Sequence, residues 1–232
     1  MKIVFPLLIL LVLLPTASCS NHDGNQSIDP PINIKYLALG DSYTIGESVC
    51  ESCRFPEQLS DSLETEHNFG VSLKIIAQTG WTTTNLKSAI AAENLASDYD
   101  LVTLLIGVNN QFQNKPFSLY ESEFPELVNT AIVKGKGDKN NVVVVSIPDY
   151  AYTPYGQSTS NPQNISSGID AYNAFAENYC LQNDIKFVNI TDITRRGLNE
   201  PELVASDGLH PSEIAYSEFV TRMLSEVLEA LD

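Results

Sequence analysis

A serine and a histidine stand near opposite ends of the chain in settings that suit proton transfer between them. Ser42 follows the apolar run 34–39 and a glycine, at the carboxyl end of a predicted buried strand. His210 lies in the segment 207–211 (DGLHP). A carboxylate three residues before an imidazole can fold back onto Nδ1, which fixes the tautomer and leaves Nε2 free to take a proton. The pattern predicts nucleophilic catalysis by Ser42, with His210 as base and Asp207 as its orienting acid.

Acyl transfer also needs hydrogen-bond donors for the negative charge that develops on the substrate oxygen. Gly80 follows the second predicted strand, and a glycine lets the backbone N–H approach a substrate closely. Asn109 follows the third predicted strand and offers a side-chain amide. Together with the backbone N–H of Ser42, they form a predicted oxyanion hole.

Composition argues against several other classes of function. The chain has 3 histidines, and only His210 is placed near the candidate serine, so no cluster indicates a catalytic zinc. We expect neither a metal nor a cofactor. The formal net charge of -16 lacks the basic surface that phosphates require, so we expect no nucleic-acid partner.

Alternating strand and helix patterns predict the scaffold that positions these residues. The predicted strands are 34–40, 71–77, 100–108, 141–147 and 185–190, and the predicted helices are 55–67, 82–97, 117–134, 169–183 and 212–231. Between them, 109–116 and 148–168 are predicted loops. This alternation indicates a parallel sheet with helices on both faces. Loops that follow parallel strands leave the same edge, so we expect the four candidate residues to meet there.

Four blocks, in order, resemble those of the SGNH or GDSL-type hydrolases. They are Gly40-Asp41-Ser42-Tyr43, Gly80, Gly107-x-Asn109 and Asp207-x-x-His210-Pro211. The resemblance implies a flavodoxin-like three-layer α/β/α sandwich with a five-stranded parallel sheet, and ester hydrolysis through an acyl-enzyme. It assigns the nucleophile, base, acid and oxyanion donors to the residues already named.

The sequence departs from that family pattern at two positions. Tyr43 replaces the usual Leu, and Asn110 replaces the usual Asp of G-x-N-D. The ordinary α/β-hydrolase elbow, G-x-S-x-G, fits less well because Thr44 stands where its second glycine belongs.

Aromatic residues on the predicted loops are candidates for the substrate pocket. We assign substrate binding to Trp81, Phe112 and Tyr152, and Tyr150 and Tyr155 lie on the same loops. Ordinary loop packing is the alternative for each of them. The family blocks are shared by sugar-acetyl esterases, thioesterases and lysophospholipases, so the sequence leaves the substrate open.

The N-terminus predicts export. Met1 and Lys2 precede the apolar run 3–14, which a short stretch of small residues follows. This pattern is typical of a signal peptide over 1–18. Small residues directly before Cys19 resemble a bacterial lipobox, although Thr16 replaces the usual Leu. That resemblance implies a lipid on Cys19, a tether over 19–32 and a hydrolase domain over 33–232, in a protein held at the bacterial cell envelope. Ordinary secretion and an uncleaved anchor are the alternatives.

The remaining cysteines suggest a structural role. Cys50 and Cys53 form a C-x-x-C, which in an oxidising compartment is most simply a disulfide. Free thiols, redox chemistry and metal binding are the alternatives.

Two functions other than ester hydrolysis stay open for the protein. One is a surface lipoprotein that binds glycan or lipid on a hydrolase fold that has lost its activity, and the other is thiol redox chemistry through Cys50 and Cys53.

Overall fold

A parallel sheet forms the centre of the computed structural model, which describes residues 1–3 and 30–232. Within these residues its strands are β1 (Ile32–Gly40), β2 (Phe69–Ala77), β3 (Leu101–Leu105), β4 (Val142–Val145) and β5 (Lys186–Val188). Their order across the sheet is β2-β1-β3-β4-β5. The chain therefore runs from β1 outward to β2 and then crosses to the other side of β1. In open α/β sheets, such a reversal marks the crevice where ligands bind, here at the carboxyl ends of β1 and β3.

Helices follow the strands throughout the described residues. They are α1 (Ser42–Ile45), α2 (Phe55–His67), α3 (Thr83–Ala92), α4 (Val108–Phe112), α5 (Phe117–Lys134), α6 (Pro154–Gln157), α7 (Pro162–Gln182), α8 (Thr191–Thr194) and α9 (Glu213–Leu231). Helix α2 packs against α9, while α3, α5 and α7 pack against one another in turn. The predicted α/β fold with a five-stranded parallel sheet is confirmed. None of the described helices is both long and apolar enough to cross a membrane.

Burial explains the composition of the strands. Every residue of β3 and β4 is buried. Strands covered by helices on both faces are continuously apolar rather than alternating. Strand β2 lies at the edge of the sheet and is only partly buried, which agrees with its alternating sequence.

Several boundaries differ from the sequence-based prediction. Strand β2 begins at Phe69, because Asn33 pairs with Gly70 across the ladder to β1. Helix α7 begins at Pro162, within the predicted loop 148–168. Its first turns are rich in Asn, Ser and Gly, which are typical of loops, but Ile165 and Ile169 are four residues apart and both buried. The Asn161 side chain caps the helix, and a proline stands at the first position. Helix α3 ends at Ala92, and Val108 starts α4 instead of ending β3.

The predicted signal peptide and Cys19 fall on residues outside those that the structure describes, apart from the first three residues. Export and lipid attachment therefore stay predictions.

Candidate active site

Ser42 lies at the carboxyl end of β1, where two neighbours shape a tight strand-to-helix turn. Gly40 permits the turn, since a Cβ there would lie 2.0 Å from Thr44 Oγ1 and 2.5 Å from the Leu105 carbonyl oxygen. Asp41 caps α1 by accepting a hydrogen bond from Tyr43 N at 3.1 Å. Ser42 is the first residue of α1 and is 4% exposed. Its hydroxyl makes no hydrogen bond with another described residue, and the His210 ring is bonded to Asp207 instead.

The turn before α9 holds Asp207 against His210. Asp207 Oδ2 lies 2.6 Å from His210 Nδ1, and Oδ1 accepts hydrogen bonds from His210 N at 3.0 Å and from Leu209 N at 2.9 Å. Gly208 makes this fold-back possible with a φ of 73°. Partial burial raises the pKa of Asp207, but hydrogen bonds from His210, Leu209 and Ser48 outweigh it and lower the pKa to about 2. Asp207 is therefore ionised at neutral pH and orients the imidazole through Nδ1.

The loops after β2 and β3 are joined at the predicted oxyanion hole. Gly80 has a φ of 84°, which favours glycine, and its N–H donates no hydrogen bond to a described residue. Asn109 Nδ2 donates to the Trp81 carbonyl oxygen at 3.0 Å, and Gln113 Nε2 donates to the Gly80 carbonyl oxygen at 2.8 Å. An amide nitrogen carries two hydrogens, so Asn109 Nδ2 can donate to a second acceptor, either the neighbouring Asp41 carboxylate or a substrate oxygen.

A cavity of about 180 Å³ brings the candidate residues together. Ser42, Gly80, Asn109 and His210 all line it, and Asp207 lies behind the imidazole. A larger groove of about 680 Å³ runs along α2 and α9 but contains none of these residues. The smaller cavity therefore combines a hydroxyl, an imidazole and several hydrogen-bond donors. These are the groups that acyl transfer requires.

The family comparison decides which class of hydrolase this is. The model of the GDSL-like lipase/acylhydrolase family matches residues 38–217, from β1 into α9. The chain belongs to this family. The resemblance found in the four sequence blocks is thereby confirmed, and the protein is a carboxylic ester hydrolase.

Solved structures with the same fold are similar to this GDSL hydrolase at low sequence identity. A lipase/acylhydrolase from Enterococcus faecalis shares 18% identity with a TM-score of 0.65, covering 84% of this chain and 95% of that chain. An acetyl xylan esterase variant from Geobacillus stearothermophilus shares 18% identity with a TM-score of 0.64, covering 85% and 96%. A lipolytic G-D-S-L protein from Veillonella parvula shares 16% identity with a TM-score of 0.61, covering 82% and 96%. Comparison with curated proteins finds no significant match.

The unusual Asn110 of this GDSL hydrolase belongs to a buried network beneath the oxyanion hole. Its Oδ1 accepts from Thr83 N at 2.9 Å, and its Nδ2 donates to Thr83 Oγ1 at 2.7 Å. Thr83 Oγ1 in turn donates to Glu123 Oε2 at 2.5 Å. All three residues are buried. The neutral amide suits this place, because the single hydroxyl hydrogen of Thr83 already serves the Glu123 carboxylate.

Ser48 is a site residue that the sequence analysis missed. Its hydroxyl donates to Asp207 Oδ2 at 2.7 Å, although the two residues are 159 positions apart. An exposed serine in a loop carries no sequence signal for such a contact. The loop that carries Ser48 also contains Cys50 and Cys53, whose sulfur atoms are bonded at 2.03 Å.

Asp41 carries a second unexpected feature. It is fully buried, and its Oδ2 has no hydrogen-bond partner among the described residues. Burial raises the pKa of Asp41 to about 7, despite the opposing effects of Tyr43 N and the nearby Asn109 amide. A carboxyl group next to Ser42 therefore changes charge near neutral pH.

The aromatic residues assigned to substrate binding are only partly brought together. Phe112 lines the cavity, and Tyr150 lines it too. Trp81 and Tyr152 do not line it; both are half-buried and pack against the hydrophobic core. Tyr43, the other departure from the family blocks, meets the His210 ring edge to face at 5.7 Å.

Proposed function

We propose that this hydrolase cleaves small acyl or acetyl esters through an acyl-enzyme on Ser42, with His210 and Asp207 completing the triad. The observation that carries the proposal is the shared cavity, which Ser42, Gly80, Asn109 and His210 line together. The bond between Asp207 and His210 Nδ1 supports it, because that bond keeps the proton-accepting nitrogen of the imidazole free.

In the acylation step, His210 Nε2 removes the hydroxyl proton of Ser42 while Oγ attacks the ester carbonyl carbon. The ionised Asp207 stabilises the imidazolium that forms. The carbonyl oxygen becomes an oxyanion that accepts hydrogen bonds from Ser42 N, Gly80 N and Asn109 Nδ2. As the tetrahedral intermediate collapses, the bond to the alcohol oxygen breaks, and His210 gives its proton to the leaving alcohol.

In the deacylation step, a water molecule takes the place of the alcohol. His210 removes one of its protons while the water oxygen attacks the acyl carbon. Collapse of this second intermediate breaks the bond to Ser42 Oγ, which regains its proton from His210. The carboxylic acid is released, and the hydrolase returns to its starting state.

The size of the cavity favours a short acyl group. Its volume of about 180 Å³ is below the roughly 300–1,000 Å³ typical of small-molecule pockets. An acetyl or similarly short group fits this limit, whereas a long acyl chain would extend out of the cavity.

The acyl-enzyme proposal is tested with wild type and Ser42→Ala on a panel of p-nitrophenyl esters from acetate to palmitate. We expect the highest kcat/KM on acetate, and a loss of about 10⁴-fold or more in the variant. Mass spectrometry after a serine-reactive phosphonate should show one adduct, on Ser42. Turnover retained by Ser42→Ala would show that the nucleophile is a different group.

The cellular location is also part of the proposal. The apolar N-terminal run and Cys19 support export and lipid anchoring at the cell envelope, with the membrane reached only through the lipid. Growth with labelled palmitate should label the wild-type protein but not Cys19→Ala. Equal labelling of both would contradict an anchor on Cys19.

A further inference from the structure

A second cavity adjoins the catalytic one. It has a volume of about 370 Å³ and lies between α4, α6 and the start of α7. Phe112 and Tyr150 line both cavities, so the two spaces meet at these rings. A group joined to the ester on its alcohol side can extend from Ser42 across the rings into this second space.

Aromatic rings form one side of the second cavity. Phe112 and Tyr155 are 42% and 40% exposed, and their ring centroids are 6.0 Å apart. Two neighbouring exposed rings form an apolar patch, and such patches often mark ligand-binding grooves. Two hydrogen bonds hold the surface in place: Tyr150 OH donates to Gln111 Oε1 at 2.8 Å, and Tyr155 N donates to the Gly208 carbonyl oxygen at 2.9 Å. The second bond joins the aromatic surface to the turn that carries His210.

The opposite side of the cavity is polar and uncharged. Asn114, Ser160 and Asn164 line it, and their side chains are exposed and make no hydrogen bonds with other described residues. No charged residue is among the described residues that line it. A phosphate or carboxylate ligand would need a cation here, and a long acyl chain would not use free amides and hydroxyls. A ligand ring with apolar faces and several hydroxyl groups would match the cavity, because its faces suit the aromatic side and its hydroxyls suit the polar side.

We propose that this second cavity binds the alcohol part of the substrate, and that this alcohol is a neutral polyhydroxylated ring such as a sugar. The inference rests on the proposed acyl transfer at Ser42, because it assigns a place to the group that leaves in the first step. One ring of the alcohol lies against Phe112 and Tyr155, and its hydroxyls bond to the amides of Asn114 and Asn164.

The test compares two acetyl esters that differ only in the alcohol: methyl glucoside carrying one acetyl group, and ethyl acetate. For the wild type we expect a higher kcat/KM on the sugar ester. In Tyr155→Ala and Asn164→Ala, the ratio of the two kcat/KM values should fall by about tenfold, as expected for a lost stacking surface or hydrogen bond. Tyr155→Phe keeps the ring and should keep most of the ratio.

Leu181→Ala is the matched control, because Leu181 is 75% exposed on α7 and lies outside both cavities. Leu181→Ala should have the wild-type kcat/KM on both the sugar ester and ethyl acetate. A ratio that does not change in Tyr155→Ala and Asn164→Ala would overturn the subsite. So would a higher kcat/KM on acetylated glucose 6-phosphate or on palmitoyl glycerol than on the neutral sugar ester.

A binding measurement separates this inference from the proposed catalysis. Calorimetry on Ser42→Ala with methyl glucoside, the alcohol product that has no ester bond to cleave, should show binding that Tyr155→Ala weakens about tenfold. If Ser42→Ala hydrolyses ethyl acetate like the wild type, the proposed acyl-enzyme fails, while the calorimetry still decides the subsite. If catalysis depends on Ser42 but methyl glucoside does not bind, the subsite alone is overturned.

Discussion

Ser48 Oγ donates a hydrogen bond to Asp207 Oδ2 at 2.7 Å, which joins the loop after β1 to the turn before α9. The same carboxylate oxygen contacts His210 Nδ1. Ser48 therefore helps to fix the orientation of Asp207, the acid that we propose orients the base His210. We regard it as a positioning residue of this hydrolase.

Replacing Ser48 should weaken catalysis and raise the pKa of Asp207 from about 2 toward the ordinary aspartate value of 3.8. A depressed carboxyl pKa contributes stability that is present above about 4 and lost as pH falls toward 2. In Ser48→Ala, the fall in unfolding free energy between pH 4 and 2 should be smaller than in the wild type. Denaturant unfolding across this range measures it, and kcat/KM at pH 7 should drop several-fold.

Ser48→Thr and Ser48→Gly are the controls. Threonine keeps the hydroxyl and should preserve the fall in unfolding free energy between pH 4 and 2, although a β-branched residue at the positive φ of this position should lower the unfolding free energy at every pH. Ser48 has a φ of 66°, so glycine should be more stable than alanine by about 1 kcal/mol while lacking the same hydrogen bond. If kcat/KM in Ser48→Gly equals that of the wild type, the hydroxyl has no positioning role.

Asn110→Asp should impair this hydrolase even though aspartate is usual at that position in the family blocks. The substitution turns a second carboxylate toward Thr83, whose single hydroxyl hydrogen already serves Glu123. We expect a loss of about 1–3 kcal/mol in unfolding free energy and a lower kcat/KM.

The double variant Asn110→Asp/Glu123→Gln should recover most of both losses. In it, the glutamine amide can donate to Thr83 Oγ1, which then donates to the new aspartate, so the chain of hydrogen bonds is reversed. The free energy of urea unfolding and kcat/KM are measured for the wild type, the two single variants and the double variant, which together form a double-mutant cycle. Purely additive losses would contradict a shared network.

Asp41→Asn should remove a pH dependence of stability. The folded-state pKa of Asp41 is raised to about 7 from 3.8, so its contribution is complete below about 4 and is lost as pH rises to 7. Unfolding free energy should decline over this range by at most about 1.4 kcal/mol per pH unit from this group. The asparagine variant should show a flatter profile, and an unchanged slope would show that Asp41 is ionised throughout the range.

Loss of the Cys50–Cys53 disulfide should affect activity more than stability. It closes a loop with a sequence separation of only 3, so the entropy it removes from the unfolded chain is small. The same loop carries Ser48. We expect Cys50→Ser/Cys53→Ser to lower kcat/KM, and to lower it little further when Ser48→Ala is already present. An equal loss in both backgrounds would show that the disulfide acts independently of Ser48.

The meeting of the proposed catalytic residues could be predicted from the sequence because its signals are local. Asp207 and His210 are three residues apart, so their contact needs only a glycine turn. Ser42 is marked by the apolar run and glycine before it, and parallel strands bring their carboxyl ends to one edge without further information. The start of α7 is rich in Pro, Ser and Gly, so its first turns were predicted as loop even though Ile165 and Ile169 lie four residues apart on its buried face.

Tertiary structure alone decided the contacts that support this set and the shape of the pocket. Ser48 reaches Asp207, and Asn110 reaches Thr83 and Glu123, across long separations that no local pattern records. Tyr150 lines the catalytic cavity, whereas Tyr152 packs on the core, because both lie in one 3₁₀ turn where residues two apart face different directions. Residue type and spacing name the reacting groups, but the direction of a loop side chain depends on neighbours that only folding supplies.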